Sequence, residues 1–145
     1  LRKIIEVMYP AELVLPMKAE LTERGFEDLS TPELVDAAMT KEGTTLLVLN
    51  SVCGCSAGTA RPGVVMAVQQ AAKKPDHLVT SFAGFDTAAV AQARTYLLPY
   101  PPSSPCIALL KNGELVHMIE RHMIEGRPAQ MIAANLQDAF NQHCN

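Results

Sequence analysis

The stretch TTLLVLNSV, residues 44–52, is uncharged and almost continuously apolar, with β-branched residues among its aliphatic ones. A strand with one wet face would alternate apolar and polar positions, whereas a run like this suits a central strand buried on both faces. Helices must then cover the sheet above and below. The run ends in SVCGCSAGTARPG, residues 51–63, which puts Cys53 and Cys55 one glycine apart where a helix is about to begin.

The flanking sequence supplies the rest of a layered α/β domain. Residues 10–24 read as an opening helix with Leu13, Met17 and Leu21 on one face, stopped by Gly25. FEDLS is a short strand. STPELVDAAMTKEG is a helix capped by Ser30 or Thr31, with Pro32 and Glu33 in its first turn and Gly43 at its end. A helix over 62–74 turns Val64, Val65, Val68 and Ala72 inward, and HLVTSFAGF, residues 77–85, is the next strand. Residues 86–98 form a helix N-capped by Asp86, followed by the rigid loop PYPPSSP. CIALLKNGELVHMI is a hairpin turning at Asn112-Gly113, and a last helix from near Pro128 presents Met131, Ile132, Leu136 and Phe140. The first half thus reads as parallel crossover units, and the second adds an antiparallel hairpin and a covering helix.

A chain of 145 residues is expected to form one domain, 1–145, with a real hydrophobic core. With a net charge of −3 and no basic cluster, nothing points to nucleic acid. Apolar runs are too short for a membrane span, and the opening residues, which start at Leu1 rather than Met, show no leader pattern. Four cysteines are too few for a disulfide scaffold, so a reducing, cytoplasmic setting is expected.

In that setting a close cysteine pair does redox or metal chemistry more often than structural bridging. The amides opening a helix carry about half a positive charge, which favours a thiolate over a thiol. Gly54 removes bulk and lets both sulfurs come round, and a small Cys-X-Cys ring should be easier to reduce than a structural disulfide. A buried, inert pair is one alternative, and metal binding or delivery by the pair is the other. It lacks a second Cys or His pair at matching spacing: Cys106 stands alone, His143 and Cys144 lie at a C-terminus expected to fray, and His117 and His122 need not face one side. The proline loop adds Ser104-Pro105, an X-Pro bond that a tight turn there would hold in cis. Cys106 reads as a small core residue opening a strand. Glu120, Arg121, His122 and Glu125 form a charged cluster expected to be mostly solvated, with substrate binding as its other reading, and Arg61 is a candidate for steadying a thiolate or an anionic thiol.

Together, a strand-end cysteine motif and a proline loop resemble the thioredoxin-like superfamily. NSVCGCSAGTARPG, PPSSPCIALLKNGELVHMIERHMIEGR and the closing AFNQHCN are similar to the bacilliredoxins, small bacterial proteins with a Cys-Gly-Cys motif, over essentially the whole chain. The resemblance implies a thioredoxin-like α/β fold, a central mixed sheet flanked by helices, with an extra N-terminal helix. It implies a cytoplasmic thiol-disulfide oxidoreductase that takes bacillithiol from S-bacillithiolated client proteins, with weak disulfide reductase or isomerase activity. Bacillithiol would be a co-substrate rather than a bound cofactor, and its disulfide reductase a partner. On that resemblance Cys53 is the nucleophile and Cys55 the possible resolving thiol. Gly54 shapes the motif, and Pro105, in cis, presents the Ser104 backbone to an extended substrate. No metal is implied, and Cys144 is expected to be mobile and dispensable. Two departures from ordinary thioredoxins stand out. The chain has no Trp, and Leu46 to Asn50 hold no titratable residue where thioredoxins bury an acid.

Overall fold

The computed structural model describes residues 8–145. Its elements are α1 (Ala11–Thr22), β1 (Glu27–Asp28), α2 (Pro32–Met39), β2 (Thr44–Asn50), α3 (Arg61–Gln70), β3 (His77–Phe82), α4 (Thr87–Thr95), β4 (Cys106–Lys111), β5 (Glu114–Ile119), α5 (Arg121–Ile124) and α6 (Ala129–His143). They form one five-stranded sheet in the order β1-β3-β2-β4-β5. The strands β1, β3 and β2 run parallel, and β4 and β5 are antiparallel to their neighbours. The mixed sheet flanked by helices is therefore as expected.

Every residue of β2 is buried, as expected of an uncharged run with Leu46 to Leu49 at its centre. Its alternate side chains feed two cores. Leu46 and Val48 join Val64, Ile132, Leu136 and Phe140 beneath α3 and α6. Leu47 and Leu49 face the other way, onto Val35, Met39, Ala93 and Leu97 of the α2–α4 side. The hairpin turns where expected, with φ of 51° at Asn112 and 82° at Gly113, the paired positive values a two-residue turn demands.

Several expected faces are corrected. The buried residues of α1 are Val14, Lys18 and Leu21, while Leu13 is exposed and Met17 only half-buried. The reason is Lys18: its Nζ lies 2.8 Å from Asp86 and 3.0 Å from Asp28, and a buried ammonium must keep such partners. Asp86 consequently does not cap α4 with its side chain; its Oδ2 takes Lys18 and the Phe82 N–H at 3.0 Å. Thr31, by contrast, caps α2 by accepting from Leu34 N at 3.2 Å. That helix ends at Met39, before Gly43. In α3 the buried face is Arg61, Gly63, Val64 and Ala67; Val65 and Val68 pack at its margin, and Ala72 is exposed beyond the helix end. Met131 is exposed on α6, whose inner face uses Ala133 and Ala139 beside the expected Ile132, Leu136 and Phe140. Among the described residues no helix is long and apolar enough to cross a membrane.

Candidate active site

Cys53 and Cys55 follow the C-terminal end of β2, and the chain winds from them through one wide π-helical turn, Ser56–Ala60, into α3. Such turns recur at functional sites because they re-aim side chains within a helix. Cys53 occupies the capping position of this helical start: its carbonyl accepts from Ser56 N at 2.9 Å and Ala57 N at 3.1 Å. The two cysteines are paired as a disulfide, Cα atoms 5.3 Å apart, both half-buried, with Gly54 exposed between them.

The sulfurs are not equivalent. Cys53 Sγ accepts the Cys55 N–H at 3.3 Å and an Nη2 N–H of Arg121 at 3.3 Å. For Cys55 Sγ no such donor is found among the described residues. A sulfur with two aimed donors at a helix start is the better placed of the two to carry negative charge.

Ser104, like Cys53, lines a cleft of about 470 Å³, together with Tyr9, Ser51, Val52, Ala83, Gly84 and Arg121. The Ser104–Pro105 peptide is cis, as is Leu98–Pro99. Two arginines hold this loop. Arg94 Nη1 donates to Ser103 O at 3.0 Å, and Arg121 Nη1 donates to Ser104 O at 3.1 Å. The cleft thus brings together Cys53, Ser104 and Arg121. Pro105 is buried behind the loop.

Behind the pair lies a buried polar node. Asn50 Oδ1 accepts from Ser51 N at 2.8 Å, Ser56 Oγ at 2.9 Å and Arg61 Nη1 at 2.9 Å. Arg61, 2% exposed, also donates from Nη1 to Ser51 O at 2.9 Å, and its Nε lies 3.2 Å from Glu20 Oε2. It spends its charge inside the protein and touches neither sulfur among the described contacts. The guanidinium at the thiol is Arg121, drawn from the cluster expected to be mostly solvated. The spacing of the cluster places it after the hairpin without showing which member reaches the site. Glu120 caps the short α5 that begins with Arg121, and Glu125 pairs with Arg121 Nε.

The remaining cysteines lie in the core. Cys106 opens β4 opposite Leu49, and burial pushes its thiol up to about 11 despite the nearby Arg94. Cys144 is buried as well, with its N–H bonded to Phe140 O at 2.8 Å, so the expected mobile terminus is instead part of the core. Burial raises its thiol too. Among the described residues no three His, Cys, Asp or Glu side chains converge as metal ligands, which leaves the metal reading with the pair alone.

Residues 9–144 match the family described as disulphide isomerase. The chain is 58% identical to a bacilliredoxin of Cytophaga hutchinsonii over 93% of its length and 99% of the relative's. It is 53% identical to a bacilliredoxin of Halalkalibacterium halodurans, covering 94% of each. Among solved structures, oxidised mitochondrial thioredoxin 3 of Saccharomyces cerevisiae superposes with a TM-score of 0.56 at 13% identity, over 85% of this chain and 98% of that one. Oxidised thioredoxin of Plasmodium falciparum gives 0.57 at 12% identity, over 83% of this chain and 100% of that one. At such identity these two establish the thioredoxin-like fold and no more. The fold, the strand-end cysteine pair and the near-complete match to these relatives lead to one conclusion: the chain belongs to the bacilliredoxin family of thiol-disulfide oxidoreductases.

Proposed function

We propose that this protein strips bacillithiol from S-bacillithiolated client proteins, with Cys53 as the attacking thiol. The observation that carries the assignment is the asymmetry of the pair, since among the described residues only Cys53 Sγ receives both a helix-start N–H and a guanidinium N–H at the edge of an open cleft. Starting from the reduced pair, the Cys53 thiolate attacks the bacillithiol sulfur of the mixed disulfide. The new bond is Cys53–S–S–bacillithiol; the broken bond is the client's, whose sulfur leaves with the electron pair and takes a proton from solvent.

Two exits then exist. Free bacillithiol attacks the carried bacillithiol sulfur, releasing bacillithiol disulfide and regenerating Cys53. Alternatively, Cys55 attacks Cys53 Sγ, releasing bacillithiol and leaving the internal disulfide. The second exit needs Cys55 to lose a proton, and the nearest residue of β2 is Asn50, an amide that cannot take one. The cycle therefore depends chiefly on Cys53 and on external thiol. Gly54 keeps the motif narrow, and Ser104, held against Pro105, offers its backbone to the client's extended chain beside Cys53. A reducing cytoplasm with a bacillithiol disulfide reductase completes the cycle.

Intact-mass spectrometry of reduced protein mixed with a bacillithiolated client tests this. Cys55→Ala should accumulate one bacillithiol on Cys53, whereas Cys53→Ala should take up none. Uptake by Cys53→Ala with none by Cys55→Ala would reverse the roles. A faster reaction with scrambled protein disulfides than with thiolated clients would favour general disulfide isomerisation.

A further inference from the structure

The guanidinium at the cleft has capacity it does not use internally. Arginine presents a fork of five N–H donors. Arg121 Nε is turned to Glu125, one N–H of Nη1 goes to Ser104 O, and one of Nη2 goes to Cys53 Sγ. Each terminal nitrogen keeps one further N–H, and the side chain lines the cleft at 44% exposure. A planar pair of free donors next to the reacting sulfur matches a carboxylate better than any neutral group.

The other walls do not compete for that role. Tyr9, Ser51, Val52, Ala83, Gly84 and Ser104 bring no charge to the cleft. Arg61 is committed to Asn50, Ser51 and Ser56 inside the protein, and Arg94 is spent on Ser103 O. Glu125 sits on the far, Nε side of the guanidinium, where it orients the fork without occupying its two terminal nitrogens.

We propose that Arg121 is a catalytic and specificity-determining residue, holding the Cys53 thiolate and selecting small thiols that carry a carboxylate. The inference rests on the proposed reaction and names the substrate feature its site reads. The same cation serves both halves of the cycle. It stabilises Cys53 sulfur when that sulfur attacks, and again when the electron pair returns to it as the carried thiol is removed. In between, Cys53 sulfur is neutral in its mixed disulfide, and the unused N–H on each terminal nitrogen holds the carboxylate of the carried thiol. Glu125 stays on Nε throughout, and the terminal nitrogens serve first the sulfur and then the carboxylate.

The test uses the full chain carrying Cys55→Ser, so that the Cys53 mixed disulfide is retained, with Arg121→Met and Arg121→Lys compared against it. First, the pH dependence of Cys53 alkylation is followed by mass. Arg121→Met should move it upward by about one pH unit, in line with removing an opposite charge at this distance. Arg121→Lys should recover part of the shift. Second, one client is thiolated separately with mercaptosuccinate, 2-mercaptoethanol or cysteamine, giving anionic, neutral and cationic forms. The unsubstituted Arg121 protein should prefer the mercaptosuccinate form over the 2-mercaptoethanol form, and Arg121→Met should lower that preference about threefold, the scale of a partly exposed ion pair. An unmoved pH profile, or an unchanged anionic-to-neutral ratio, overturns the proposal. If the parent protein takes no small thiol from any client, the proposed reaction itself fails, and the alkylation profile still reports what Arg121 does to Cys53.

Discussion

Around the end of β2, arginine and cysteine each occur both inside and at the rim, and the two settings use them in opposite ways. Arg61 is fully enclosed and ties Asn50, Ser51 and Ser56 into one node. Arg121 stands half-exposed and points at a sulfur. Cys106 lies one strand away from the motif with its thiol held protonated by burial, whereas Cys53 opens onto a cleft with two donors on its sulfur. Residue type therefore says little about the environment of a group here. What decides it is whether the surrounding protein encloses the group and its partners or leaves it at the edge of the cleft.

The largest effect is expected at Arg61. Replacing it with Met removes the donor that three buried oxygens share, and it leaves Glu20 without its partner. We expect Arg61→Met to lose about 3 kcal/mol in urea unfolding, the scale for truncating one member of a buried charged network. Arg121→Met should lose less than about 1 kcal/mol, because its contacts are exposed. Near-equal losses for the two variants would mean that the inside–rim distinction does not govern these arginines.

Much of this arrangement was legible beforehand, and the parts that were not share a cause. The uncharged run of β2, the Asn112-Gly113 turn and the cysteine pair are local patterns, each interpretable without knowing what lies opposite. Lys18 was not legible as a core residue, because its burial depends on Asp28 of the next element and on Asp86 far along the chain. Arg121 was one of several charges after the hairpin. Only the path from β5 into α5 carries it onto the proline loop, where it meets Ser104 O and Cys53 Sγ. Cys144 looked like the end of a fraying helix, yet α6 persists to His143 and seals the thiol into the core. Tertiary packing that no local pattern announces thus accounts for each miss.

The two cysteine settings separate by pH. Cys106 has an ordinary thiol value of 9.0 that burial lifts to about 11 in the folded protein. Its neutral form is thus favoured by folding. Below pH 9 that contribution is fully present; above it the unfolded chain loses the proton first, and stability falls until the folded thiol also ionises. Across that window the loss should total about 2–3 kcal/mol, two pH units at about 1.36 kcal/mol each. Urea titrations of the parent and of Cys106→Ala between pH 8 and pH 11 (a range of about three units) would isolate the slope, since other groups titrating there are common to both. A parallel pair of curves would show that Cys106 is not shielded, and the contrast with Cys53 would collapse.

The finest test concerns how much of the rim is charge and how much is shape. Gly84 takes φ of +81°, and a Cβ added there would stand 2.6 Å from Tyr9 Cε2, while its carbonyl accepts Tyr9 N at 3.2 Å. Gly84→Ala should therefore push the Tyr9 ring off the cleft wall and cost about 1 kcal/mol for the left-handed backbone alone. Neither residue donates to the Cys53 sulfur, so the pH profile of Cys53 alkylation should stay where it was, even though the cleft has changed shape. A shift as large as that expected for Arg121→Met would mean that the tyrosine wall sets the sulfur's environment as much as the guanidinium does. An unmoved profile with slower thiol uptake would separate the two roles: Tyr9 and Gly84 fit the substrate, and Arg121 supplies the charge.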